Sequence, residues 1–146
     1  MKIINPYLLF QGTCEEAFNF YKSVFGGEFT FMGRFGDMPP QEGKTVSDEQ
    51  KNKIMHVSLP VSRDGVLMGS DTGDSPMPNV VGTNISLSIT VDSQETADNY
   101  FSSLSAGGKT GMPMAKMFWG DYFGMCTDKY GVNWMISYND QFKFPE

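Results

Sequence analysis

Hydrophobic and polar positions along the chain fall into one programme played twice. An extended run from Ile3 to Phe10 leads into Thr13-Cys14-Glu15-Glu16, a Ser/Thr-x-x-Glu pattern that satisfies exposed amides at a helix start. Ala17, Phe20, Tyr21 and Val24 follow at helical spacing, and Gly26-Gly27 should end the helix, because glycine takes the left-handed conformation at no steric cost. Later, Ile85, Leu87, Ile89 and Val91 alternate with Ser86, Ser88 and Thr90, as in a strand with one buried face. Asp92 is expected to cap a second helix with the stripe Ala97, Tyr100, Phe101 and Leu104, ending at Gly107-Gly108. Each of the four stripe residues stands 80 positions after its counterpart in the first half.

Beyond the helices the spacing predicts about three strands per half. They are Glu28 to Phe35, Lys53 to Val61 and Val66 to Ser70, then Thr110 to Lys116, Tyr122 to Thr127 and Asn133 to Tyr138. The polar stretch Asp37 to Asn52, with Pro39-Pro40 and Gly43, reads as a long loop, and Ser70 to Thr83 joins the halves. A single domain over 1–146 is expected, made of two modules at about 1–75 and 80–146.

Composition narrows the chemistry. Eleven basic against 17 acidic residues give a net charge of −6, which argues against nucleic acid or an anionic membrane surface as partner. The N-terminal apolar run is too short for a signal peptide or a membrane span, so a soluble cytoplasmic protein is expected. One histidine, His56, stands beside 12 Phe, 6 Tyr, 2 Trp and 11 Met, which excludes every two-histidine metal motif within the chain. Cys14 and Cys126 are far apart and read as buried reduced thiols. No glycine-rich phosphate loop stands between a strand and a helix, and the chain lacks the glycine-rich opening of a usual methyltransferase cofactor sheet. No cofactor is expected.

The run Phe118-Trp119-Gly120-Asp121-Tyr122-Phe123-Gly124, followed by Asp128-x-x-Gly131-x-x-Trp134-Met135-Ile136, resembles the vicinal oxygen chelate superfamily, the glyoxalase, bleomycin-resistance and extradiol-dioxygenase group. More narrowly the chain resembles the PhnB-like branch, often labelled as a 3-demethylubiquinone methyltransferase domain. Pro6-Tyr7-Leu8, Ala17-Phe18-x-Phe20-Tyr21-x-x-Val24-Phe25-Gly26-Gly27 and Ile54-Met55-His56 add to the likeness. It implies an α+β fold of two tandem βαβββ modules, curled sheets around a cavity, and a homodimer. It also implies metal ligands on the first and last strands of each module. Here those positions fall on Asn5, Gly69, Ile85 and Met135, which cannot hold a divalent ion, so no metal site is expected.

What remains is a cavity that the resemblance implies, with Tyr7, Leu9, Ile85, Leu87, Trp119, Tyr122 and Met135 as expected ligand-binding residues. His56 lies in a strand and has two readings, a catalytic base facing the cavity or a structural hydrogen-bonder facing away. Trp119, Tyr122 and Phe123 either stack on a planar ligand or pack the core, and Met112, Met114 and Met117 either line a pocket or fill gaps. Asp71 and Asp74 read as a solvated turn sooner than a carboxylate pair, and Arg34 and Arg63 as anchors for an anion or as surface charge. The favoured function is metal-independent binding of a small organic molecule. The alternatives are a lyase, isomerase or dioxygenase-type enzyme using His56 as base or as part of a relocated metal site, and a dimeric interaction module.

Overall fold

A computed structural model describes residues 2–145 and divides into two compact units, one through Val80 and the other from Val81. Each unit is an open four-stranded sheet with one helix against one face. The first contains β1 (Tyr7–Phe10), α1 (Cys14–Phe25), β2 (Phe31–Arg34), β3 (Ile54–Pro60) and β4 (Val66–Asp71), with strand order β1-β4-β3-β2. The second contains β5 (Leu87–Val91), α2 (Gln94–Ser105), β6 (Lys109–Lys116), β7 (Tyr122–Thr127) and β8 (Asn133–Tyr138), ordered β5-β8-β7-β6. In both, the first strand runs parallel to the last and every other pair is antiparallel. The helical crossover after the first strand is what permits that parallel pair.

The expected helices are present, with different capping bonds. Thr13 makes no side-chain cap bond. Instead the carboxylate of Asp71, at the end of β4, accepts from the Gly12 and Cys14 amides at 2.9 and 3.0 Å. Its second oxygen accepts from Ile54 N at 2.8 Å. Asp71 is buried, so the solvated turn expected there is replaced by a carboxylate that ties a helix start to two strands. In the second unit Ser93 is the cap in place of Asp92, its hydroxyl accepting from Thr96 N at 3.1 Å. Ser93→Ala should therefore cost about 1 kcal/mol in urea unfolding, whereas Thr13→Ala should cost a few tenths. Gly26 ends α1 with φ 77°, as the glycine pair predicts.

The two-fold repeat holds with a slip that the sequence pattern conceals. Burial along Tyr7–Phe10 reads exposed, half-buried, exposed, buried, and the same order recurs over Ser88–Val91, 81 positions later rather than 80. The helices keep the 80-residue offset, because three residues join β1 to α1 and two join β5 to α2. In a strand, one residue of slip turns every side chain to the other face. Tyr7 thus corresponds to Ser88 and not to Leu87. By the same register Met135 corresponds to Met68 and not to Gly69.

Apolar side chains fill the space between helix and sheet in each unit. Cys14, Ala17, Phe18 and Tyr21 of α1 are fully buried with Ile54, Val57 and Leu59 of β3. Ala97 and Leu104 of α2 are buried with Trp134, Ile136 and Cys126. Indole Nε1 of Trp134 donates to Asp128 at 2.8 Å, and Asp128 also accepts from the Tyr130 and Val132 amides. A second buried carboxylate thereby fixes the turn into β8.

Candidate functional site

The first sheet has one face under α1 and one away from it. Gly69 lies on the α1 side, since a Cβ there would stand 2.6 Å from the Phe18 ring. Register then places Leu8 and Val57 with it, and puts Tyr7, Leu9, Met68 and Ser58 on the opposite face. His56 and Phe31 join that face through β3 and β2, where Ser58 pairs with Phe31 and His56 with Gly33.

On this face both ring nitrogens of His56 are engaged. Nδ1 lies 3.0 Å from the Tyr7 hydroxyl, and Nε2 lies 3.0 Å from Ser58 Oγ. Tyr7 stacks on the imidazole at 5.5 Å between ring centres and 26° between planes, and Phe31 tilts against it at 5.7 Å. Tyr7, Leu9 and Phe31 remain 45, 52 and 49% exposed. Such a group of half-open rings and chains around one histidine can cover a planar molecule while offering it a hydroxyl.

Of the residues named from sequence, Tyr7, Leu9 and His56 come together here. Leu87 and Tyr122 do not line the corresponding face of the second unit. Tyr122 OH donates to Asp98 of α2 at 2.6 Å, which raises the phenol pKa and marks the helix side of that sheet. Leu87 pairs with the buried Trp134 on the same side. Both therefore lie on the helix side of their sheet, Leu87 because of the strand slip and Tyr122 through its pairing with Tyr138. Met135 faces the other way, paired with Met125, and Phe123 shares its side. Ile85 precedes β5 and is 71% exposed. Trp119 is half-exposed, donates to Asp121 at 3.1 Å, and packs edge-on against Phe118 and Phe123.

Phe31, Ser58, Met68 and Ser70 also lie on the first-unit face and were not singled out by sequence. Ser58 was within reach of strand periodicity, standing two residues after His56 and hence on its side. Phe31 and Met68 join through pairing register, which no local pattern encodes.

Arg34, the two cysteines and Asn5 have structural places in the first and second units. Arg34 makes a two-pronged ion pair with Glu15 of α1, both contacts at 2.7 Å, and also reaches the Asn52 carbonyl. That bonding lowers the Glu15 carboxyl below its ordinary range and raises Arg34, so Arg34 is committed within the unit. Burial pushes the Cys14 thiol far up and Cys126 up to about 11, which makes both inert as nucleophiles near neutral pH. Asn5 holds the Val66 amide through its side-chain oxygen at 3.3 Å. Among the described residues no three His, Cys, Asp or Glu side chains are grouped to hold a metal. A polar pocket of about 310 Å³ lies elsewhere in the first unit, lined in part by Gln11, Glu49, Lys53 and Thr72. No helix among the described residues is long and apolar enough to cross a membrane.

A family model described as 3-demethylubiquinone-9 3-methyltransferase matches residues 2–137. The chain belongs to this family, the PhnB-like branch of the vicinal oxygen chelate superfamily. Protein YjdN of Escherichia coli (strain K12) is 31% identical, over 92% of this chain and 93% of that protein. The crystal structure of protein PA1353 from Pseudomonas aeruginosa superposes with a TM-score of 0.84 at 39% identity, covering 95% of this chain and 98% of that one. A PhnB protein from Bacillus cereus matches with a TM-score of 0.73 at 27% identity, covering 94 and 99%. The α+β architecture of two βαβββ modules is thus the glyoxalase and bleomycin-resistance fold. That fold serves lyases, isomerases, dioxygenases and binding proteins alike, so the site must carry the functional argument.

Proposed function

We propose that this PhnB-like protein binds a small organic molecule on the first-unit face formed by Tyr7, Leu9, Phe31 and His56. The observation that carries the reading is the group of half-exposed apolar side chains gathered around a histidine whose ring is held from both ends. Single exposed apolar side chains are ordinary on protein surfaces, but a cluster framing a polar centre marks a binding face. Covering the exposed halves of three such side chains contributes about 1 kcal/mol each, with about 1 kcal/mol more from ring stacking. That sum corresponds to roughly millimolar affinity, so a tighter ligand needs a polar contact as well.

The same geometry weighs against His56 as a free base. A general base needs an open lone pair facing the substrate, and here each ring nitrogen already has a partner. A relocated metal site with Asp71 is likewise disfavoured, because the Asp71 oxygens are turned to the α1 side and hold three backbone amides.

Thermal unfolding against a panel of single-ring aromatic compounds tests the proposal. Compounds that bind the native state should raise Tm in proportion to the logarithm of concentration over Kd. The rise should vanish in Tyr7→Ala and Phe31→Ala variants that still unfold cooperatively. A panel that never shifts Tm in the unsubstituted protein refutes the reading.

A further inference from the structure

The direction of the two hydrogen bonds on His56 is fixed by which of its partners is buried. A neutral imidazole has one N–H and one acceptor nitrogen, so the bonds to Tyr7 and Ser58 must run in one sense along the chain of three groups. In one arrangement Tyr7 O–H donates to Nδ1, and Nε2–H donates to Ser58 Oγ. Ser58 must then place its own proton elsewhere. In the other, Ser58 O–H donates to Nε2, Nδ1–H donates to Tyr7 Oη, and the Tyr7 proton points outward.

Ser58 is 9% exposed, while Tyr7 is 45% exposed. A buried hydroxyl without an acceptor is costly, and an exposed one is satisfied by water. Nε2 stands 3.0 Å from Ser58 Oγ, and among the described residues that hydroxyl has no other hydrogen-bond partner. The second arrangement is the one that gives the buried hydroxyl an acceptor, and in it Ser58 acts on Tyr7 through the ring of His56.

We propose that Ser58 and His56 turn the Tyr7 proton outward, making Tyr7 the hydrogen-bond donor that recognises an acceptor oxygen, a carbonyl or carboxylate, on an aromatic ligand. The inference rests on the reading of this face as the ligand site and supplies the polar contact that the affinity arithmetic calls for. Tyr7 touches the ligand; His56 and Ser58 are positioning residues. No other titratable strand residue of the first unit shares the face, since Arg34 bonds Glu15 of α1 and Asp71 holds amides on the α1 side. A ligand acceptor thus meets Tyr7 without a competing charge from these strands.

His56 is the single histidine of the 146-residue sequence, so this chain gives one set of imidazole nitrogen signals. A long-range ¹⁵N–¹H correlation spectrum, recorded across a pH series until the imidazole signals stop moving at the alkaline end, reads the tautomer directly. The expected spectrum has a protonated Nδ1 and an unprotonated, acceptor-type Nε2. Ser58→Ala should shift the population toward protonated Nε2. A protonated Nε2 in the unsubstituted protein, or a tautomer indifferent to Ser58→Ala, overturns the inference.

Calorimetric affinities for acetophenone and ethylbenzene, which differ chiefly in the carbonyl, complete the test. We expect acetophenone to bind about five- to tenfold tighter, with the preference abolished in Tyr7→Phe and reduced in Ser58→Ala. A merely structural Ser58 would weaken both probes together and leave their ratio unchanged. Equal binding of the two probes overturns the inference and leaves the face a binding site; binding of neither overturns both.

Discussion

Asp71→Ala lowers the unfolding free energy by on the order of 4 kcal/mol, most of what a marginally stable domain possesses. Three backbone donors, Gly12 N, Cys14 N and Ile54 N, lose their acceptor at once, and the latter two bonds are buried. Each orphaned buried amide costs about 1 to 3 kcal/mol, tempered where water reaches the Gly12 side. Asp71→Asn should fall between, at roughly 2 kcal/mol. Its amide oxygen keeps the pair at the helix start, while its NH₂ faces the Ile54 donor. Urea unfolding with an unchanged m-value checks both, and a loss below about 1 kcal/mol for Asp71→Ala would show that the carboxylate does not hold the helix start to the strands.

The second large effect lies at Gly69, one of the positions where the family resemblance implies a superfamily metal ligand. A Cβ at Gly69 would stand 2.6 Å from the Phe18 ring and 2.7 Å from the Leu8 carbonyl. Phe18 is fully buried and the carbonyl belongs to β1, so neither yields readily. Gly69→Ala should cost about 3 kcal/mol, and Gly69→Glu should leave little soluble folded protein, because overpacking forces strands apart. Gly111→Ala is the control: its nearest neighbour would be Met125 O at 3.4 Å, an ordinary contact, and its effect should stay within about 0.5 kcal/mol. Circular dichroism melts of the three variants decide the point. A Gly69→Ala protein as stable as the parent would contradict the packing described.

Restoring a ligand set by substitution at Gly69 is therefore blocked by the fold itself. The residue on the open face at this level of β4 is Met68, the structural counterpart of Met135, and a thioether serves a divalent ion there no better.

Much of the fold was legible because its local chemistry agrees with its tertiary placement. The glycine pair after Phe25 ended α1 where expected, and the alternation over Tyr122–Thr127 and Asn133–Tyr138 marked strands at their observed bounds. Helix starts were less legible. Thr13 matched a capping pattern, yet a carboxylate 57 residues away supplies the bond, and no local pattern reports a partner at that distance.

Of the candidate site, the sequence offered Tyr7, Leu9 and His56 but not their company. It also placed Leu87 and Tyr122 on the ligand side, where the structure turns both toward α2. For Leu87 the reason is a single residue fewer between β5 and α2 than between β1 and α1, while Tyr122 is turned by its pairing with Tyr138 of β8. Hydrophobic periodicity tells that a strand has two faces and how they alternate; it does not say which face meets the helix when both carry apolar side chains, as on Tyr7–Phe10.

The sequence by itself determined the duplicated βαβββ programme, the two helices, most strand bounds and the presence of one histidine, while the family came through the resemblance of its motifs. The former follow from periodicity, glycine placement and composition, which are local or countable. Only the tertiary structure decided that Asp71 is a buried capping carboxylate, that Arg34 is bound to Glu15, and that Tyr7, His56 and Ser58 form one hydrogen-bonded chain. Each depends on strand register and on which groups water is kept from, and both are set by pairing between segments far apart in the chain.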